Sequence, residues 1–320
     1  MKKLFILLVI LGLTAWWRYF TPGTAVEFEI PDHAVGAQIA ARLKSAGVIS
    51  SPLFFRVLLK VTGTAKRLKP GRYEIRTGLS EEQALWFLLH TDGTVYARVT
   101  FPEGWRLEEY AQRLENENVA KAADFIALAK KQNLEGFLFP STYFFEPNTP
   151  PQTVINVLKK EFDAKIGPLL ASGLPDYLTA RDVLTIASIV QREAVFDDER
   201  PLVAAVYLNR MRMKKHLEAD PTVQYALGYS AEEGRWWKKG LTLADLQFNS
   251  PYNTYRYDGI PPGPICNPGY ESVYAVLHPA PIDAVFFVAD TEGRHTFNVT
   301  YEDHLKAKAL MKKRLRQARN

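Results

Sequence analysis

The stretch Thr179-Ala180-Arg181-Asp182-Val183-Leu184-Thr185-Ile186-Ala187-Ser188-Ile189-Val190-Gln191-Arg192-Glu193 decides how the chain is read. Thr179 followed by Asp182 is a capping-box start, in which each side chain satisfies a free amide at the other residue. Val183, Ile186, Ile189 and Val190 recur at helical spacing and define one apolar face. Glu193 lies three residues after Val190 and four after Ile189, so it falls on that same face. A carboxylate is poorly solvated there, and its pKa rises. A carboxyl that keeps its proton near neutral pH is a general acid. The blander reading is a Glu at a frayed last turn, solvated or paired with Arg200 or Arg210.

Beyond Glu193 comes the acidic turn Asp197-Asp198-Glu199, then Pro201 at an N1 position and a helix through Met213. The acidic triplet is most simply capping charge for that helix. Its sharper reading is a second catalytic carboxylate, and Asp220 before Pro221-Thr222 is another candidate; an ordinary glycosidase needs such a partner. Residues 121–213 read as mostly helical. Residues 214–282 are rich in Pro, Gly, Asn and Tyr, and long ordered loops in a compact domain are usually functional. Residues 284–288 and 294–299 predict a hairpin around Asp290-Thr291-Glu292-Gly293. A basic helix follows Tyr301, its Lys/Arg run a solvated face.

Toward the N-terminus, residues 26–30 alternate apolar and polar as a half-buried strand does, and Pro31-Asp32 ends it. A helix follows with Val35, Ile39, Leu43 and Ala46 inward and Gly47 as its stop. Ser51-Pro52 opens a second helix, predicted to turn Leu53, Val57, Leu58 and Val61 inward. Residues 72–75 read as a short strand, and Ser80-x-x-Gln83 caps a third helix. The opening pattern then returns. Residues 95–101 predict a strand, Pro102-Glu103-Gly104 breaks it, and a helix carries Leu107, Tyr110, Ala111 and Leu114. With Ile30-Pro31-Asp32 set over Phe101-Pro102-Glu103, Ala40, Leu43 and Val48 fall on Ala111, Leu114 and Val119. Two such copies suit a small α+β module, not a solenoid.

The chain has 320 residues, enough for two or three domains, and a net charge of +5 that suits an anionic partner. Its one cysteine, Cys266, excludes an internal disulfide. The six histidines show no metal-ligand spacing, so neither metal nor cofactor is expected. At the start, Lys2 and Lys3 precede an apolar run over residues 4–17, the pattern of an export signal. Trp16, Trp17, Tyr19 and Phe20 extend it as an interfacial belt. With no small-x-small cleavage site, residues 1–21 read as an uncleaved membrane anchor. The positive-inside rule then places the remainder outside the cytoplasm and excludes nucleic acid as a partner.

The motifs together resemble one family. They are Ala187-Ser188-Ile189-Val190-Gln191-Arg192-Glu193-Ala194, Tyr207-Leu208-Asn209-Arg210 and Ala219-Asp220-Pro221-Thr222-Val223. Ser250-Pro251-Tyr252-Asn253-Thr254-Tyr255, Gly259-Ile260-Pro261-Pro262-Gly263-Pro264-Ile265, Asn267-Pro268-Gly269 and His295-Thr296-Phe297-Asn298 continue the set. Upstream, Pro102-Glu103-Gly104 and the run from Leu134-Glu135-Gly136 to Thr142-Tyr143 fit as well. This chain resembles the endolytic murein transglycosylase, or YceG-like, family. It departs from many members at Gln191, where they carry Glu, and at Glu218, where they carry Gln.

The resemblance implies an α+β protein with an N-terminal anchor (1–21), a LysM-like module (22–100) and a mainly helical catalytic domain with long loops and a hairpin (101–320). It implies a single-pass protein of the bacterial inner membrane, with the catalytic domain extracytoplasmic. The implied reaction is cleavage inside peptidoglycan glycan strands, between N-acetylmuramic acid and N-acetylglucosamine, leaving 1,6-anhydro-muramoyl ends and so terminating strand growth. Penicillin-binding proteins of the wall-synthesis machinery are the implied partners. The catalytic Glu falls on Glu193, and Asn209, Asp220, Asn253, Thr254, His295 and Asn298 are candidates for the substrate groove. Two rivals stand beside this reading: a muramidase-type hydrolase using Glu193 with Asp220 or Glu218, and a non-catalytic peptidoglycan-binding assembly factor.

Overall fold

The structure is a computed structural model that describes residues 23–317 apart from 92, 94 and 95. The apolar run at residues 4–17 lies outside the described residues. Among the described residues, no helix is long and apolar enough to cross a membrane. The chain divides into two compact units, one ending at Ala97 and one beginning at Arg98.

The first unit runs β1 (Ala25–Ile30), α1 (Gly36–Ser45), α2 (Pro52–Thr62), β2 (Gly71–Arg76) and α3 (Glu81–His90). β1 pairs antiparallel with β2, Phe28 opposite Tyr73 and Val26 opposite Ile75. Alternation puts Phe28, Ile30, Tyr73 and Ile75 on one face, where they meet Ile39, Leu43, Phe55, Leu59 and Leu88 in a closed core. α3 starts with the expected capping box between Ser80 and Gln83. The inward face predicted for α2 is wrong. Phe55 and Leu59 are buried, whereas Leu53, Val57 and Val61 face solvent and Leu58 is half-buried. A helix apolar nearly all round offers periodicity no single face to select, and the core chose the side carrying the large Phe55. Val35, also expected inward, is an exposed N-cap.

The second unit contains β3 (Ala97–Thr100), α4 (Leu107–Asn116), α5 (Ala122–Lys131), β4 (Thr142–Phe145), α6 (Pro151–Lys165), α7 (Gly167–Ala171), α8 (Ala180–Glu193), α9 (Arg200–Arg212), α10 (Asp220–Leu227), α11 (Tyr270–Leu277), β5 (Phe286–Ala289), β6 (His295–Asn298) and α12 (Tyr301–Gln317). β4 was not foreseen within the supposedly helical 121–213 stretch. Thr-Tyr-Phe-Phe is a β-favouring run, and β3 supplies its partner. The hairpin forms β5 and β6, with Phe287 opposite Phe297. α8 packs against α9 and α11, and its residues Val183 to Val190 are all buried.

The internal repeat extends further than the sequence alignment. Both copies run strand, helix, helix, strand, and each pairs its own two strands. Ala40, Leu43 and Val48 are fully buried, as are Ala111, Leu114 and Val119. Both first helices end alike. Gly47 and Asn118 are left-handed at φ 70° and 55°, and the Val48 and Val119 amides donate back to the Leu43 and Leu114 carbonyls.

In the first unit, Glu81 holds the start of α2. Its Oε1 accepts from the Ser51 amide at 2.6 Å, and from the amide and hydroxyl of Ser50 at 3.2 and 3.0 Å. Burial raises its pKa, but the Ser51 amide and the other donors outweigh that, and the net shift is downward. A depressed carboxyl stabilises the fold above its unfolded pKa and loses that contribution as pH falls through the folded value. Glu81→Gln should therefore lower stability at neutral pH by about 2 kcal/mol. It should also shrink the loss between pH 7 and the acid side, read by urea unfolding monitored at both ends; an identical pH slope in variant and wild type would refute this.

Candidate active site

Glu193 is the last residue of α8. Thr179 and Asp182 cap the start of that helix reciprocally, the Thr179 hydroxyl accepting from the Asp182 amide. The other end stops when Ala194 leaves helical geometry. Tyr207 reaches across from α9, and its hydroxyl donates to Glu193 Oε1 at 3.0 Å. The Tyr207 ring is itself buried, edge-on to Phe287 of the hairpin. Burial drives the Glu193 pKa up to about 7; the Tyr207 bond pulls it down, the nearby Asp220 charge raises it, and Arg192 lowers it. The two arginines considered as partners are engaged elsewhere. Arg200 bonds Asp197 and Ser272, and Arg210 bonds Glu218. Tyr207 is the one side chain hydrogen-bonded to Glu193 among the described residues. In the sequence Tyr207 stands within the Tyr207-Leu208-Asn209-Arg210 motif with no role marked for it. Its signal is a polar-tipped aromatic in the apolar run of residues 201–208, which cannot be told from a core Tyr without the partner.

Of the groove candidates, Asp220 is the one whose charge is felt at Glu193. It is exposed at the first turn of α10 and accepts from the Tyr255 hydroxyl at 2.6 Å. Thr254 is buried. It binds the Ala219 amide and the Thr222 hydroxyl at 3.0 and 2.8 Å, setting the loop that carries Asp220. Asn253 is also buried, its amide donating to Leu246 and Phe248 carbonyls and its oxygen accepting from the Tyr255 amide. Asn209 donates to the Ile282 and Ala284 carbonyls and ties α9 to the strand that follows. His295 binds Glu199 through Nδ1 at 2.8 Å, and Asn298 donates to Thr296 at the hairpin end. These five polar side chains bond within the protein, and Asp220 is the one whose charge reaches Glu193.

The acidic turn after Glu193 acts in place of a simple cap. Asp197 binds Arg200, Asp198 binds Arg294 and Glu199 binds His295, fastening the hairpin to the start of α9. Glu218, left-handed at φ 51°, pairs with Arg210. Gln191 accepts from the Gly269 amide and the Ser272 hydroxyl at 2.9 and 2.7 Å, pinning α8 to α11. A Glu at 191 could accept the same two bonds, so this departure from the family pattern keeps the contact.

Asn267 draws the scattered motifs together. Its oxygen accepts from the Gly136 and Leu138 amides, its nitrogen donates to the Trp105 carbonyl, and its backbone pairs with Gly104 and Trp105. Gly136 is left-handed, and a Cβ there would lie 2.4 Å from Pro264. Beside it, buried Glu135 receives the Leu107 amide, the Tyr225 hydroxyl and Asn267. Burial raises its pKa to about 8, helped by Glu108. Glu135 is a carboxyl that periodicity could not find, because it sits in a loop. Cys266 is buried with its thiol pushed well up by burial, donating to the Ser188 carbonyl, and so is no nucleophile. Among the described residues, no His, Cys, Asp and Glu group could hold a metal ion.

The YceG-like family model matches residues 28–310. This chain belongs to the YceG-like family. It is 32% identical to the Bacillus subtilis protein named endolytic murein transglycosylase, over 89% of this chain and 84% of that one. A Streptococcus pneumoniae protein of the same name is 29% identical over 90% of this chain, which spans 57% of that longer protein. A crystal structure of a YceG-like protein from Listeria monocytogenes superposes with a TM-score of 0.59 at 28% identity, covering 88% of this chain and 98% of the other. The YceG-like match covers the repeat from Phe28, within β1, onward and includes the Glu193 helix.

Tyr207→Phe removes the one hydrogen bond that favours ionised Glu193. The Glu193 pKa should rise above about 7, while the ring contact with Phe287 is kept. Carbon-detected NMR titration of labelled Glu carboxyls should show the upward shift; an unchanged or lower pKa would show that the bond does not tune the acid.

Proposed function

We propose that this protein is a lytic transglycosylase that cuts inside peptidoglycan glycan strands, with Glu193 as its acid and base. The observation that carries the proposal is a half-buried carboxyl at a helix end, its pKa raised to about 7 and its Oε1 bonded by Tyr207. Protonated Glu193 donates to the glycosidic oxygen between N-acetylmuramic acid and N-acetylglucosamine, and the C1–O bond breaks. The 6-hydroxyl of the same muramoyl residue attacks C1 and returns its proton to Glu193. No water is consumed, and a 1,6-anhydro end remains. Tyr207 orients the carboxyl, and its donated hydrogen bond stabilises the Glu193 carboxylate between the two proton transfers.

This chemistry needs one carboxyl, whereas a hydrolase needs a second to hold water. The second-carboxyl candidates are otherwise committed, Glu218 to Arg210 and Asp220 to Tyr255. The names of the Bacillus and Streptococcus relatives support the same reaction class. In the proposed setting, residues 1–21 anchor the protein in the bacterial inner membrane and the remainder lies outside the cytoplasm. The strand–helix–helix–strand unit after the anchor serves as a LysM-like module. Cutting nascent strands beside penicillin-binding proteins would end their elongation.

Intact peptidoglycan digested with the wild-type protein should yield anhydro-muramoyl ends by mass spectrometry, and Glu193→Gln should yield none while keeping its fold. Reducing ends would move the assignment to a hydrolase; an active Gln variant would remove Glu193 from the mechanism. Because the acid must be protonated, the rate should decline as pH rises through about 7.

A further inference from the structure

The face that α2 turns outward is unexpectedly apolar. Leu53 is 68% exposed, Phe54 44%, Val57 48% and Val61 79%. At 3.6 residues per turn these four lie within an arc of about 100°. Arg56 and Lys60 are exposed and border the arc on one side, and neither makes an ion pair among the described residues. Past the left-handed Gly63 cap, Lys66 and Arg67 are exposed as well. Residues 33–73 carry Lys or Arg at eight positions and no Asp or Glu.

The repeat provides an internal control. α5 is the counterpart of α2, with Phe125 and Ala129 buried where α2 buries Phe55 and Leu59. At the positions equivalent to Leu53, Phe54, Val57 and Val61, α5 carries Ala123, Asp124, Ala127 and Lys131, also exposed. The fold of the repeat therefore does not require large apolar side chains there. The α2 face costs solubility without serving its own core, and such a face marks a binding surface.

We infer that α2 docks on an anionic lipid surface, with Leu53, Phe54, Val57 and Val61 entering the headgroup boundary and Arg56, Lys60, Lys66 and Arg67 meeting lipid phosphates. An apolar arc edged by cations, within a stretch of sequence that carries no acid, is the pattern of an interfacial helix. Charge complementarity selects anionic over neutral lipid. The biological setting rests on the membrane location proposed above, but the contact itself does not need the 1–21 segment. Docked in this way, the first unit is held at the bilayer by a surface contact.

The test uses residues 23–320, which contain both buried clusters in full because the first core residue is Phe28. Co-sedimentation is measured with vesicles of phosphatidylcholine alone and mixed with phosphatidylglycerol. The protein should pellet with the mixed vesicles and far less with the neutral ones. Arg56→Gln with Lys60→Gln should weaken partitioning roughly 25-fold, about fivefold for each cation lost. Val57→Asp with Val61→Asp should abolish it, and the control Ala123→Asp with Ala127→Asp should leave it unchanged. All three variants should cut soluble glycan strands at the wild-type rate, so failure of docking and failure of the enzymatic reading are separable. Absent vesicle binding, equal binding to neutral vesicles or binding indifferent to the α2 substitutions would overturn the inference. So would a wild-type dimer in light scattering that Val57→Asp dissociates, which would assign the face to a second copy.

Discussion

The hydrogen bond from Tyr207 to Glu193 governs the site. Burial favours the protonated carboxyl, and one phenolic donor partly offsets that preference. The balance leaves a group that can give up a proton and take one back near neutral pH. A full ion pair with Arg200 or Arg210 would hold Glu193 ionised and remove the acid. Both arginines are instead drawn away by Asp197 and Glu218.

The position of that bond is set by parts far apart in sequence. Gln191 and Ser188 fix α8 against the segment from Ile265 to Ser272, and Asn267 carries the same segment onto Gly104 and Gly136. Asn209 and the Glu199–His295 pair hold the hairpin, whose Phe287 supports the Tyr207 ring. Several polar residues that look like ligands for a sugar are thus ligands for backbone. Buried amides and carbonyls must be satisfied, and loops have no ladder of their own to do so. A loop-built site therefore needs many Asn, Gln and Ser side chains to bond its backbone.

The two strand–helix–helix–strand copies show how one frame accepts different surfaces. Their buried positions agree closely, including the Val48 and Val119 turns, because both cores must close on the same geometry. Their outer helix faces differ, Leu53, Val57 and Val61 against Ala123, Ala127 and Lys131. Packing constrains the inside, and the outside is free to acquire a partner.

The sequence by itself determined the Glu193 helix, its capped start, its apolar face and the carboxyl upon it. It also determined the repeat, the hairpin and the family, since each is written in local spacing or in motif order. Periodicity failed at α2, where apolar residues surround the helix and two faces compete, and at β4, which exists because β3 lies beside it. Only the tertiary structure decided that Tyr207 bonds Glu193, that Asn209, Asn253 and Thr254 bond loop backbone while His295 pairs with Glu199, and that burial raises the pKa of Glu135. Each of these depends on which atoms face each other across the fold, and a hydrogen bond of about 3 Å leaves no trace in the spacing of residues along the chain.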